Sequence, residues 1–191
     1  LHFLSRLRAP TDALYISHNG SFATINGLRA GSLPREPVPW DEVNAALGYA
    51  ASALATITER GCISVNHAQI TPMGSFSRLT SAARGVTAET LFYDRRAFGP
   101  ARKLNAALRS FCICVAETAA VARTQDPSLR LPYKLSPERD GRAVTIHGIS
   151  VEFSDDPAQL PRWTQALKML LTDIKWLLAW VIRRETNELT A

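Results

Sequence analysis

The sequence feature that most constrains the fold is a pattern that recurs about sixty residues apart. Three helical segments each follow a proline, and they run from Trp40 to about Glu59, from about Ala101 to Arg123 and from about Arg162 to Arg184. All three have an Ala-Leu pair in their first half, within Asn44–Leu47, Asn105–Leu108 and Gln165–Leu167. Self-similarity at a fixed period is typical of a repeated supersecondary unit. The spacing therefore predicts three copies of one such unit.

Strand-like stretches separated by turn residues precede each helical segment. They are Leu14–Ser17, Phe22–Ile25 and Leu28-Arg29, then Cys62–Val65, Ala68–Thr71 and Thr90–Tyr93, then Leu131–Leu135, Ala143–His147 and Ser150–Phe153. Asn19-Gly20 favours a type I′ hairpin between the first two stretches, because both residue types tolerate positive φ. We therefore predict an α/β domain of the α+β type. It has three repeats of a short, mostly antiparallel β-sheet followed by an α-helix, packed as one globular domain.

The third helical segment is apolar almost all round. Between residues 170 and 182 its only polar side chains are Thr172, Asp173 and Lys175. A helix of this kind is buried on several sides, and the interrupting charges argue against a membrane span. The three cysteines, Cys62, Cys112 and Cys114, are expected to be reduced, buried thiols of an intracellular protein.

Positive charge is concentrated in one window of the sequence. Residues 78–109 contain the basic residues Arg78, Arg84, Arg95, Arg96, Arg102, Lys103 and Arg109 and the acidic residues Glu89 and Asp94. Elsewhere the basic and acidic residues balance, so the window accounts for the whole net charge of +5. A localised positive field attracts anionic partners such as lipid headgroups or nucleic acid. The alternative is a solvated surface that happens to be basic and binds no partner.

No catalytic constellation is recognisable in the sequence. There is no nucleophile elbow, no pair of metal ligands at usable spacing and no glycine loop for phosphate, and the four histidines are scattered. We expect no enzyme activity, no catalytic, cofactor-binding or metal-binding residues, and no cofactor.

The segment 91–100 is the best candidate for a functional site. Aromatic rings suit the headgroup boundary of a membrane, and nearby cations add attraction to an anionic leaflet. The candidate membrane-binding residues are Phe98, Arg95, Arg96, Arg102, Lys103, Phe92 and Tyr93. Phe98 lies beside the Gly99-Pro100 turn and is expected to be exposed. For Phe92 and Tyr93 the alternative is a strand that faces the core.

Several long motifs resemble one known family. They are Tyr15 to Gly31, Pro37 to Ala46, Thr71 to Ser75, Trp163 to Lys168 and Lys175 to Trp180. Together they closely resemble the C-terminal repeated beta-alpha (BARA) domain of the Beclin family of autophagy proteins, over almost the whole chain. The family fold, three sheet-and-helix repeats, agrees with the sixty-residue period.

The resemblance implies a function. It implies a non-catalytic scaffold or regulatory subunit domain of class III phosphatidylinositol 3-kinase complexes, promoting membrane association for autophagosome formation and endosomal or vacuolar sorting. The implied partners are the catalytic subunit, its pseudokinase scaffold subunit and a coiled-coil autophagy or sorting subunit, bound mainly through an upstream coiled coil, and an anionic membrane surface. The implied location is cytoplasmic, peripheral on autophagosome-precursor, endosomal or vacuolar membranes.

In the family an aromatic finger just before the second helix contacts membranes, a place that matches Ala97–Gly99 here. Because Phe98 stands alone where relatives have consecutive aromatics, we expect weaker insertion and more reliance on charge.

Residues 1–10 are expected to be the tail of an upstream helix, coiled coil or linker, and residues 11–191 the BARA domain. The rival interpretation is a basic nucleic-acid-binding module. It lacks a recognition-helix signature or a stacking motif of known spacing, so no nucleic-acid partner is expected.

Overall fold

The computed structural model describes residues 14–81, 88–138 and 141–190. Within them, three antiparallel three-stranded sheets alternate with three helices along the chain. The elements are β1 (Ile16–Asn19), β2 (Phe22–Ile25), β3 (Leu28–Ala30), α1 (Trp40–Arg60), β4 (Gln69–Thr71), β5 (Arg78–Thr80), β6 (Ala88–Thr90), α2 (Pro100–Gln125), β7 (Leu135–Pro137), β8 (Val144–Ile146), β9 (Ile149–Ser150) and α3 (Leu160–Thr190). The predicted three-unit architecture is confirmed. The expected tail at residues 1–10 and Arg84 of the basic window lie outside the described residues.

Type I′ turns occur in the structure, but not where the sequence predicted one. Asn19 pairs with Phe22, so residues 20 and 21 form the loop, and only Gly20 has a positive φ, of 56°. Both central residues have positive φ at Asn26-Gly27 (53° and 80°) and at His147-Gly148 (50° and 79°). Two positive φ angles are what a type I′ turn requires. The type I′ prediction at Asn19-Gly20 is therefore wrong, and the two later pairs form these turns.

The predicted strand Cys62–Val65 is instead the turn that ends α1. The backbone N–H of Gly61 donates to the Ile57 carbonyl at 2.8 Å, and that of Ile63 donates to the Thr58 carbonyl at 2.8 Å. Helices leave their last carbonyls without intrahelical partners, and these bonds satisfy two of them. The first two N–H groups of the predicted strand, those of Cys62 and Ile63, are therefore bonded to helix carbonyls and unavailable for a β ladder.

Three other strand predictions were displaced, and β5 was not predicted at all. The strands lie at 88–90, 135–137 and 149–150 rather than at 90–93, 131–135 and 150–153. After β6 and β9 the N–H groups of Leu91 and Val151 still donate to carbonyls in or beside the neighbouring strand. The chain then leaves the sheet, and the N–H groups of Tyr93 and Phe153 bond to helix side chains.

Two asparagines at equivalent positions of the repeat hold the segments that lead into the next helix. In α1, Asn44 Nδ2 donates to the Tyr93 carbonyl at 3.1 Å, and the Tyr93 N–H donates to Asn44 Oδ1 at 2.8 Å. In α2, Asn105 makes the same pair of bonds to Phe153, at 2.9 and 2.8 Å. Each amide thus satisfies both polar groups of one extended residue, as a neighbouring strand would.

Thr164 of α3 makes the third contact of this kind and closes the set into a ring. The Ser32 N–H donates to Thr164 Oγ1 at 2.9 Å, and that hydroxyl donates to the Ser32 carbonyl at 2.7 Å. Thr164 lies three residues before the leucine of its Ala-Leu pair, as Asn44 and Asn105 do. We call these three contacts the clamps. Each helix holds the entry to another helix, so no unit is independent of the other two.

Four aromatic side chains meet where the units join. Trp40 stacks on Tyr93 with ring centroids 4.0 Å apart and an angle of 11° between the planes. Phe153 contacts Trp40 edge-on at 4.8 Å and Trp163 at 5.0 Å. Two of the four, Tyr93 and Phe153, are the clamped residues. Aromatic pairs of this geometry add roughly 0.5–1.5 kcal/mol each beyond the area that they bury.

The apolar third helix is buried as predicted, apart from a narrow strip. Leu170, Leu171, Ile174 and Leu177 are buried in the core, whereas Trp176 is 45% exposed. Among the described residues one helix, α2, is long and apolar enough to cross a membrane by length and composition. However, 56% of its most apolar stretch is buried inside the domain, as is typical of a core helix.

The cysteine prediction was correct for two residues and wrong for the third. Cys112 and Cys114 on α2 are fully buried, and burial raises the pKa of both thiols. Cys62 is exposed because it lies in the turn after α1, where its backbone has a positive φ of 50°. All three cysteines are free of disulfides.

Asp173 is a buried carboxyl in the middle of α3. Its Oδ1 accepts the Tyr133 N–H at 3.1 Å, and its Oδ2 has no hydrogen-bond partner. Burial raises the pKa of Asp173 to about 7, although the Tyr133 hydrogen bond and the positive charge of Arg123 partly oppose this shift. The folded state therefore binds a proton at Asp173 at pH values where the unfolded chain does not.

We predict that Asp173→Asn stabilises the domain at alkaline pH and leaves its stability at pH 4 unchanged. The folded pKa is raised, so the stability of the parent falls as pH rises from about 4 to about 7. Asparagine keeps the acceptor for Tyr133 and has no charge to bury. The free energy of unfolding at pH 8, from denaturant titration, should rise by about 1 kcal/mol or more. The exposed Asp156→Asn is the control, and an equal gain at both pH values would contradict this account.

Candidate membrane-contact surface

The segment between β6 and α2 ends in a tight loop, residues 94–99, which we call the tip loop. The Ala97 N–H donates to the Asp94 carbonyl at 3.0 Å, and the Arg96 N–H donates to Asp94 Oδ1 at 2.9 Å. Gly99 precedes α2 with a left-handed φ of 63°, and Pro100 is the first helical residue. Proline suits this position because its fixed φ is helical and its nitrogen needs no acceptor. The chain therefore reverses sharply at the tip loop.

Phe98 projects from the tip loop into solvent. It is 96% exposed, more than any other large apolar residue among those described. Arg95 and Arg96, in the same loop, are also exposed. The sequence predicted this exposure from the turn that follows Phe98. A fully exposed phenylalanine contributes nothing to the core, so folding alone gives no reason for it.

Two further cations, Arg102 and Lys103, are exposed in the first turn of α2. The N-terminal end of a helix has a partial positive charge and favours carboxylates there. Helix α1 follows this rule with Asp41 and Glu42, whereas α2 has no acidic residue in its first turn. Positive charge at this place is electrostatically unfavourable for the helix. Residues that break a rule of local structure, as these cations do, without stabilising the fold are typical of functional sites.

Phe92 and Tyr93 come directly before the tip loop in the chain, and neither is in a strand. Tyr93 is half-buried by its stacking on Trp40 and by the Asn44 clamp. Burial, together with the nearby carboxylate of Asp155, raises the pKa of Tyr93. Tyr93 is therefore held by packing, although not in the strand that the alternative interpretation proposed. Phe92 is also half-buried and makes an edge-to-face contact with Phe76 at 5.3 Å.

Two exposed apolar residues in the loop before β5 were not predicted. Met73 is 54% exposed and Phe76 is 62% exposed, and both lie in the loop between β4 and β5. The ring contact between Phe76 and Phe92 joins this loop to the segment before α2. In the sequence they are a methionine and a phenylalanine on either side of Gly74, in a loop with two serines. Both residue types are usually buried, so this pattern does not indicate that they are exposed.

The loop between β4 and β5 rests directly on α1. An ideal Cβ built on Gly48 would lie 2.0 Å from the carbonyl oxygen of Gly74, so a larger residue at position 48 would displace the loop. This close approach places the loop that contains Met73 and Phe76 against α1. The candidate contact surface consists of the tip loop, the first turn of α2 and this second loop.

Metal binding would be an alternative role for this surface. Among residues 14–81, 88–138 and 141–190, no group of three or more His, Cys, Asp or Glu side chains is placed to hold a metal ion. What the surface presents is cationic groups around exposed apolar side chains.

Comparison with known proteins identifies the family. The family model described as the Apg6 BARA domain matches residues 4–183. The chain belongs to the Apg6 BARA-domain family. The resemblance to the Beclin family is thereby confirmed.

Curated relatives resemble this BARA domain over most of its length. The chain is 30% identical to Beclin-1-like protein B of Dictyostelium discoideum over 97% of its own length and 21% of that protein. It is 32% identical to vacuolar protein sorting-associated protein 30 of Saccharomyces cerevisiae over 86% of its length and 36% of the relative. It is 31% identical to Beclin-1 of Danio rerio over 87% of its length and 38% of the relative. The chain thus spans well under half of these proteins.

We predict that Asn44→Ala in this BARA domain loosens the segment before the tip loop. The substitution removes the partners of the Tyr93 N–H and carbonyl, which should cost about 1–3 kcal/mol of unfolding free energy. Amide hydrogen exchange measured by NMR should become faster at Tyr93. Asn105→Ala is the matched control, because it releases Phe153 instead and should leave Tyr93 protected. Unchanged exchange at Tyr93 in Asn44→Ala would show that the clamp does not hold this segment.

Proposed function

We propose that this BARA domain is the non-catalytic, membrane-touching domain of a regulatory subunit of class III phosphatidylinositol 3-kinase complexes. The observation that supports membrane contact best is Phe98, 96% exposed on a loop with two exposed arginines and followed by two more exposed cations. Packing within the domain does not explain why Phe98 and these cations are exposed together. A bilayer surface would satisfy it, because the ring can enter the headgroup boundary while the cations meet lipid phosphates.

Of the two contributions to membrane binding, the attraction of the basic residues is larger than the insertion of Phe98. Each basic residue near an anionic leaflet adds about 1 kcal/mol, and Arg95, Arg96, Arg102 and Lys103 are all exposed. One phenylalanine adds roughly 1.5–3 kcal/mol if fully buried, and less at the headgroup boundary. We therefore propose a reversible contact that depends on anionic lipid and on ionic strength, with Phe98 as the apolar anchor.

Family membership supports the biological setting. The yeast relative is named for vacuolar protein sorting, and other relatives are Beclin-1 proteins. On this basis we propose a role in autophagosome formation and in endosomal or vacuolar sorting. The proposed partners are the kinase catalytic subunit, its pseudokinase scaffold subunit and a coiled-coil autophagy or sorting subunit. The proposed location is the cytoplasmic face of autophagosome-precursor, endosomal or vacuolar membranes, where the protein binds peripherally.

We predict that Phe98→Asp and the double variant Arg95→Glu with Arg96→Glu each weaken binding to anionic vesicles. Loss of about 1 kcal/mol per cation, and further repulsion from the new carboxylates, should lower the binding constant at least tenfold in the double variant. Vesicle sedimentation at two salt concentrations measures this, and the difference from the parent should shrink at high salt.

The matched control is Lys175→Glu with Arg183→Glu, which changes the charge equally on the exposed strip of α3. Equal loss in both double variants would indicate a nonspecific charge effect and contradict the proposed surface. Tighter, salt-dependent binding to duplex DNA than to vesicles would favour the nucleic-acid-binding alternative.

We also predict that the complete protein, purified from its own cells through an affinity tag, co-purifies with phosphatidylinositol 3-kinase activity. Phe98→Asp should leave this association intact, because the substitution changes only an exposed side chain. Assay of phosphatidylinositol phosphorylation in the eluate measures it. An eluate without lipid kinase activity would contradict the proposed assembly, even if the membrane contact were found.

A further inference from the structure

An open groove of about 590 Å³ lies behind the tip loop, between the start of α1 and the loop that joins β4 to β5. Four aromatic and four charged side chains are among its lining residues. The aromatic ones are Trp40, Phe76, Phe92 and Tyr93, and the charged ones are Asp41, Asp94, Arg95 and Arg96. The groove therefore combines an aromatic surface with equal numbers of carboxylates and guanidinium groups.

Two of the aromatic rings form a corner. Phe76 and Phe92 meet at 5.3 Å with their planes 80° apart, and Phe76 is 62% exposed. A second pair, Trp40 stacked on Tyr93, lines the same groove. Aromatic walls at an angle, in a groove that carboxylates also line, suit the recognition of quaternary ammonium groups such as choline.

The charges in the groove favour a ligand that has both signs. A purely anionic ligand would be repelled by Asp41 and Asp94, and a purely cationic one by Arg95 and Arg96. A zwitterion can place its positive group near the two carboxylates and its negative group near the two arginines. Arginine suits phosphate in particular, because its planar fork of donors matches two phosphate oxygens at once.

We propose that this groove binds the phosphocholine headgroup of one phosphatidylcholine molecule. The trimethylammonium group contacts the aromatic corner and the carboxylates, and the phosphate accepts hydrogen bonds from the two arginines. This inference rests on the proposed membrane contact, because it is the tip loop that brings the groove to the headgroup layer. It adds an interaction with a neutral lipid to the attraction that Arg102 and Lys103 exert on anionic ones.

The direct test is titration of the ¹⁵N-labelled chain with free phosphocholine. We expect chemical-shift changes at the backbone amides of residues 94–96 and at the Trp40 indole, with an affinity in the millimolar range. Asp41→Asn and Phe76→Ala should each weaken binding about fivefold. Glu59→Gln, an equal change of charge at the exposed far end of α1, should have no effect.

Two other probes test the chemistry of the headgroup. Inorganic phosphate should bind more weakly, and an equal affinity would overturn the role of the aromatic corner. Phosphoethanolamine should also bind more weakly, and an equal affinity would overturn the assignment to choline. Absence of any shift at these residues with phosphocholine would overturn the proposal as a whole.

Sedimentation with vesicles distinguishes the headgroup site from the proposed membrane contact. On pure phosphatidylcholine vesicles at high salt, Asp41→Asn and Phe76→Ala should reduce sedimentation, whereas Phe98→Asp should reduce it without changing the affinity for free phosphocholine. If the two groove variants sediment as the parent does, the headgroup site is wrong and the membrane contact stands. If the parent binds free phosphocholine but sediments with neither neutral nor anionic vesicles, the proposed function fails and the lipid is not the source of the headgroup.

Discussion

The arrangement of the three units depends on the clamps that Asn44, Asn105 and Thr164 make to backbone groups outside their own helices. The sheets have only three short strands each and no strand pairing between sheets among the described residues, so backbone hydrogen bonding across the sheets cannot join one unit to another. The clamps replace that pairing with side-chain bonds from the helices. Because each is a bond to both polar groups of one residue, it fixes the direction of the chain as well as its position. The aromatic cluster forms where two of the clamped residues meet.

The same contacts explain how an exposed phenylalanine can be held in a defined place. The tip loop begins directly after Tyr93, whose backbone is bonded to Asn44 and whose ring is stacked on Trp40. On its other side the loop continues into α2, which is anchored in the core by its buried apolar face. Rigid supports on both sides allow the loop itself to be short and exposed. The unfavourable cations of the first turn of α2 are tolerated because packing, rather than the helix dipole, stabilises this helix.

The repeat and the helices were predictable because their signals are local: apolar periodicity, prolines before each helix and the Ala-Leu pairs. The errors arose where a distant residue decides the local structure. Nothing near Tyr93 shows that its backbone is bonded to Asn44, so a strand was extended too far. Cys62–Val65 has the composition of a strand, yet the N–H groups of Cys62 and Ile63 bond to helix carbonyls. Within the site, exposure of Phe98 followed from the adjacent turn. The exposure of Phe76 could not be predicted, because it depends on a loop that lies against Gly48 on another element.

The clamp made by Thr164 differs from the other two in the length of chain that it closes. It joins residues 132 positions apart, whereas the clamps of Asn44 and Asn105 span 49 and 48 positions. Contacts between distant residues form late, because the entropy of a long loop must be lost before the contact contributes. During synthesis the first sheet is complete long before α3 leaves the ribosome. The entry to α1 is therefore held by its partner only when the C-terminal helix arrives, and this clamp is the last of the three to form.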